Sequence, residues 1–167
     1  MAKKTLSTKT EKRRENALET APAPMGTVLG VSNMEKAIKF YESLGFKLDT
    51  ALPGSDGELT LAILTFGPSM MLLGRLDELH YEDTDRARKI RKGPHGLGVT
   101  LTLLVPDLEK VYRAVKKAGL EILLEPVDEF YGDRVFMFLD PDGYEWKISQ
   151  MIKQVDPEEV AEIVASS

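Results

Sequence analysis

Hydrophobic and polar positions run the same course twice along this chain. Val31-Ser-Asn-Met-Glu-Lys-Ala-Ile-Lys-Phe-Tyr-Glu-Ser-Leu-Gly45-Phe-Lys-Leu48 aligns without gaps on Val105-Pro-Asp-Leu-Glu-Lys-Val-Tyr-Arg-Ala-Val-Lys-Lys-Ala-Gly119-Leu-Glu-Ile122, 74 residues further on. Apolar positions 34, 37, 38, 41 and 44 form one helical stripe, and 108, 111, 112, 115 and 118 form its counterpart. Asn33 and Asp107 stand at the N-cap, with Ser32 and Glu35 at capping-box spacing in the first copy. Gly45 and Gly119 follow where a helix ends in a left-handed residue. An apolar β-type run precedes each helix, at 27–31 and 99–105. After each glycine the period falls to two. This predicts strands over 46–50, 58–66 and 69–74, and again over 120–124, 134–139 and 143–150. Gly67-Pro68 and Pro141-Asp142-Gly143 supply the tight turns.

Each copy is therefore a βαβββ module, at about 25–75 and 96–150, and the fold class is α+β. One module alone leaves an open sheet edge and an uncovered face. Two modules side by side form a half-open barrel with a central cleft, the place to look for function.

Composition narrows the chemistry. With 43% hydrophobic and 29% charged residues and a net charge of −5, the chain reads as a globular protein. Cysteine is absent, which removes disulfides, thiolate nucleophiles and Cys-ligated metals. No apolar run approaches the roughly 20 residues of a membrane span, and no signal-type segment opens the chain, so a cytoplasmic protein is expected. Residues 1–24 carry six basic and three acidic side chains and end in Ala-Pro-Ala-Pro. This segment reads as a flexible charged arm. Its interleaved acids, and the acidic remainder of the chain, argue against nucleic acid as a partner. At the other end, residues 151–167 form a short tail. Asp156-Pro157-Glu158-Glu159 starts a helix there that carries Val160, Ile163 and Val164, a docking or dimer element.

The paired modules, with Phe40-Tyr41…Gly45-Phe46 in the first and Tyr131-Gly-Asp-Arg…Asp140-Pro-Asp-Gly-Tyr-Glu-Trp146 in the second, resemble the vicinal oxygen chelate superfamily. Glyoxalase I, the extradiol dioxygenases and the bleomycin-resistance proteins belong to that superfamily. The resemblance covers about residues 25–150 and implies a small-molecule ligand and a homodimer whose clefts are completed across a two-fold interface. In the enzymatic members it also implies a divalent metal. Carried over position by position, the four metal ligands fall on Gly26, Leu72, Thr100 and Lys147. Those positions offer no donor, no donor, a weak hydroxyl and a repelling ammonium, so no metal or other cofactor is expected.

The same alternation places Val28, Met70, Leu72, Thr100, Thr102 and Lys147 as cleft-lining residues. Two readings of Lys147 stand: it grips an anionic or carbonyl group of a ligand, or it pairs with Glu145. Tyr131 and Arg134 edge the cleft in resembling proteins, as a stacking platform and a bidentate anion clamp. The competing reading pins the loop by an Asp133–Arg134 ion pair. Glu145 and His95 are the catalytic candidates, set against a cross-strand ion pair and an exposed loop histidine. His80 lies in the charged stretch 77–92, read as a solvated loop or helix. Two functions follow. One is metal-free sequestration of an apolar or aromatic ligand, neutral or anionic. The other is a glyoxalase-like lyase or isomerase, or a dioxygenase-type enzyme, with a relocated metal or acid–base chemistry.

Overall fold

The computed structural model describes residues 26–78 and 84–166; the arm and His80 lie outside them. Module one runs β1 (Thr27–Val31), α1 (Met34–Leu44), β2 (Lys47–Pro53), β3 (Leu59–Phe66) and β4 (Ser69–Arg75). Helix α2 (Thr84–Lys92) connects it to module two: β5 (Thr100–Leu104), α3 (Leu108–Lys117), β6 (Ile122–Asp128), β7 (Asp133–Leu139) and β8 (Glu145–Met151). Helix α4 (Pro157–Ser166) closes the described chain. The strands form two separate four-stranded sheets, ordered β1-β4-β3-β2 and β5-β8-β7-β6. In each, the first strand pairs in parallel with the last and the remaining pairs are antiparallel.

Helix boundaries follow the caps. The side chains of Asn33 and Asp107 accept hydrogen bonds from the backbone N–H of Lys36 and Lys110, both at 2.9 Å. Gly45 ends α1 at φ +107°, a backbone state that side chains resist. The main discrepancy lies in β2 and β6, which reach Pro53 and Asp128, beyond the spans predicted from periodicity. Register shifts interrupt the pairing of both strands, so the strict alternation that marks a strand in sequence is broken there.

Helices α1 and α3 cover one face of their respective sheets, and a single apolar cluster joins the modules. Phe40 meets Phe138 edge-on at 6.2 Å between centroids, and Trp146 meets Tyr41 and Phe46 at 5.7 and 6.1 Å. The Asp140–Tyr144 turn of module two locks this junction. Buried Asp140 accepts four hydrogen bonds. Its Oδ1 takes the N–H groups of Asp142 and Tyr144 at 2.9 Å, and its Oδ2 takes the Tyr41 hydroxyl at 2.5 Å and the Trp146 indole at 3.2 Å. Asp142 accepts from the Ser32 N–H at 2.8 Å. The Tyr144 hydroxyl accepts from the Gly30 N–H and donates to the Gly30 carbonyl, each at 3.1 Å, satisfying the edge of β1 that has no neighbouring strand. Burial pushes both the Asp140 carboxyl and the Tyr41 phenol above their usual ranges.

On the surface of module one, Arg75 binds Asp56, Asp77 and Glu78. Hydrogen bonding to Arg75 holds the Asp56 carboxyl below the usual range. Among the described residues no helix is long and apolar enough to cross a membrane.

Candidate functional site

The helix-covered face of each sheet is spent on the core, so the opposite face carries the groups available to a ligand. On β4 the alternation buries Met71 and Leu73 and turns Met70 and Leu72 outward. On β5 and β8 it buries Leu103, Trp146 and Ile148 and turns out Thr100, Thr102, Glu145 and Lys147. Where β1 and β4 of sheet one meet β5 of sheet two, a cavity of about 340 Å³ opens. Met71, Trp146 and Leu101 line its interior, and Met70, Thr100 and Thr102 stand at its rim.

The parallel register of β5 and β8 sets the charged groups directly behind that rim. Thr100 lies opposite Glu145 and Thr102 opposite Lys147. The Thr100 hydroxyl donates to Glu145 at 2.5 Å. The Lys147 ammonium donates to the Tyr131 hydroxyl at 2.9 Å and lies 5.4 Å from the centre of the Tyr131 ring. Met70, Thr100 and Thr102 thus line one cavity, Glu145 and Lys147 neighbour the two threonines in register on the face of β8 opposite Trp146, and Tyr131 joins them through Lys147. Leu72 shares that outward face one sheet away, opposite Val28 in register.

Other expectations change. Lys147 and Glu145 form no ion pair with each other; each has a neutral hydroxyl as partner. Arg134 leaves the site. It shares a face with Phe136 and Phe138, which are fully buried in the core, and so points to the helix side of the sheet. There its guanidinium pairs with Asp128 at 2.6 Å and with Glu109 of α3 at 3.7 Å. Asp133 takes the hydroxyl of Ser149 at 2.5 Å rather than pairing with Arg134.

His95 and Val28 line a different cavity, of about 390 Å³, together with Lys89 and Tyr144. The His95 ring lies 24° from the plane of Tyr144, and its Nδ1 and Nε2 each lie 2.7 Å from a backbone carbonyl, of Asp142 and Ile90. Each ring nitrogen faces a backbone carbonyl, which makes His95 a brace between α2 and the Asp140–Tyr144 turn. Sequence reasoning missed Asp140 and Tyr144 as the groups that hold the two modules in this relation.

A model of the Glyoxalase/Bleomycin resistance protein/Dioxygenase superfamily matches residues 26–148, and the chain belongs to that superfamily. A lactoylglutathione lyase of Neisseria meningitidis serogroup A is 31% identical over 129 residues, 74% of this chain and 87% of that protein. An uncharacterized protein of Mycobacterium bovis is 26% identical over 154 residues, 90% of this chain and 97% of the relative. Among solved structures, TioX from Micromonospora sp. ML1 superposes with a TM-score of 0.60 at 20% identity, covering 77% of this chain and 98% of TioX, and shares the fold.

The metal that enzymatic members of the superfamily hold does not fit this donor set. Gly26 has no side chain, and the space a Cβ would take lies 3.5 Å from the Met70 methyl. Leu72 is aliphatic, the Thr100 hydroxyl is committed to Glu145, and Lys147 brings a positive charge.

Proposed function

We propose that this chain is a small-molecule-binding protein of the glyoxalase/bleomycin-resistance type. It sequesters an apolar or aromatic ligand bearing an anionic or carbonyl group, without a metal. The observation that carries this reading is Lys147, an ammonium at a metal-ligand position of the enzymes, paired in register with Thr102, which lines a cavity of about 340 Å³. The ligand body fills the space between Met70 and Trp146, and an acceptor group that reaches over the β5 edge at Thr102 meets the donor hydrogens that Lys147 does not give to Tyr131. Two copies assemble as a homodimer through their outward faces, where Val28 is 57% and Leu104 69% exposed.

The lactoylglutathione lyase relative favours a second reading, a glyoxalase-like lyase, in which Glu145, held by the rim residue Thr100, serves as the base.

A thermal-shift screen of aromatic acids, ketones and apolar controls tests the first reading. Acids and ketones are expected to raise the melting temperature of the wild type and not that of Thr102→Trp, an exposed position where the indole blocks the cavity mouth. Shifts that survive Thr102→Trp, or none across the panel, contradict it. Turnover of a hemithioacetal that disappears in Glu145→Gln supports the lyase reading instead. Light scattering is expected to give twice the chain mass for the wild type and one chain mass for Leu104→Glu; a monomeric wild type refutes the dimer.

A further inference from the structure

The cavity of about 390 Å³ between β1, helix α2 and the Asp140–Tyr144 turn shares no lining residue with the seam cavity. Val28, Ile90 and Pro94 give it an apolar wall, and Tyr144 lies against it. Gly96 leaves that ring its place: at φ +67° an added Cβ would stand 2.8 Å from it. The volume is that of a small-molecule site. Helix α2, which forms one side, is thinly packed, since among its described residues only Ala87 is buried.

The charge of this cavity is one-sided. Lys89 and His95 line it and no carboxylate does, in a chain of net charge −5. Lys89 is loosely held: its ammonium lies 4.0 Å from Asp85, which Arg88 also takes, and its side chain is 79% exposed. The nitrogens of His95 each stand 2.7 Å from a carbonyl oxygen, of Asp142 and Ile90. A neutral ring donates from one nitrogen and sets the lone pair of the other against a carbonyl; an imidazolium satisfies both. The Ile90 carbonyl belongs to the last turn of α2, where the helix dipole also favours a cation.

We infer that this cavity is a second binding site, for a planar aromatic carboxylate. The ring system lies against Val28, Ile90 and Tyr144, and the carboxylate meets Lys89. The His95 imidazolium adds charge but no hydrogen bond to the ligand, because both of its N–H groups go to carbonyls. An occupant ties α2 to β1. The site goes beyond the function proposed for the seam and does not depend on it.

Three probes with one ring system test the assignment: 2-naphthoate, 2-naphthamide and 2-naphthylmethylamine, each titrated into the full-length chain. The Cε1–H signal of His95, told from that of His80 by its loss in His95→Gln, reports this cavity, and the Met70 and Met71 methyls report the seam. Naphthoate is expected to shift the His95 signal and to bind about fivefold more tightly than the amide, the upper range for a partly exposed charge pair. The amine is expected to bind most weakly. Lys89→Met, a change at an exposed side chain, is expected to erase the advantage of naphthoate, and Thr102→Trp at the seam to leave it intact. Amides of α2 are expected to exchange more slowly in the complex, and both ring nitrogens of His95 to show imidazolium ¹⁵N shifts. Equal affinity for naphthoate and naphthamide, or naphthoate affinity unchanged in Lys89→Met, overturns the carboxylate assignment. A response of Met70 and Met71 with His95 unmoved overturns the second site and leaves the seam reading standing.

Discussion

Replacing Asp140 by alanine is expected to cost about 3–5 kcal/mol of folding free energy, close to the whole margin of a domain this size. The carboxylate is 5% exposed and receives four donors from three segments. Removing it leaves the Tyr41 hydroxyl and the Trp146 indole without an acceptor in an apolar core, and frees the turn that carries Asp142 and Tyr144 onto module one. Asp140→Asn keeps the shape and two acceptor lone pairs, so it should cost less. Urea denaturation followed by Trp146 fluorescence measures both; a loss below about 1 kcal/mol in the alanine variant would show that the turn is not the lock described.

The same carboxyl carries a pH signature. Because burial raises its folded value above the unfolded one, its contribution to stability is fully present below the unfolded value near 3.8 and is lost as pH rises through the folded value. Asp56 acts in the opposite sense: its folded value is depressed by Arg75, so its contribution is lost as pH falls. Comparing the wild type with Asp140→Asn isolates the first effect, since Asp56 is common to both. The stability difference between them is expected to shrink as pH is raised above the unfolded value near 3.8.

Gly132→Ala is the second large effect, expected at about 2–4 kcal/mol. Gly132 is buried at φ +95°, and an added Cβ would overlap the Lys153 carbonyl and stand 2.9 Å from a Val155 methyl. Its own carbonyl accepts the N–H groups of Ile152 at 2.9 Å and Lys153 at 3.0 Å, which fastens the chain after β8 to the turn before β7. Because the clash is with backbone, the segment must move rather than a rotamer. The adjoining Tyr131 is then expected to lose its place over Lys147, so weaker ligand binding should accompany the lost stability. Faster tryptic cleavage after Lys153, together with a lower urea midpoint, is the expected result; unchanged cleavage and a midpoint within error would refute the role assigned to the turn.

These groups also mark where the sequence could and could not be read. The 74-residue repeat exposes both modules because each helix shows its own stripe and its own caps, all local signals. Asp140 is visible only as a turn residue: its partner Tyr41 lies 99 positions away, and no periodicity connects them. Arg134 is legible in the strand pattern, on the side opposite to the cleft. Its alternation with Phe136 and Phe138 assigns it to the core-facing side, whereas the family resemblance places it at the cleft edge. The pairing of Thr100 with Glu145 and Thr102 with Lys147 needs the register of two strands separated by a helix and a hairpin, which alternation within either strand does not supply. Helix α2 is charged around most of its surface, with Ala87 buried, and offers too little apolar stripe for its packing to be read in advance.

The most direct test of the account is the metal content of the full chain after incubation with Ni²⁺, Zn²⁺, Mn²⁺ and Fe²⁺ and removal of the excess, measured by elemental mass spectrometry. Lys147 and Leu72 at ligand positions predict well below one ion per chain for every metal. One tightly held ion per chain, retained through dialysis and lost when Glu145 is replaced by alanine, would contradict metal-independent binding.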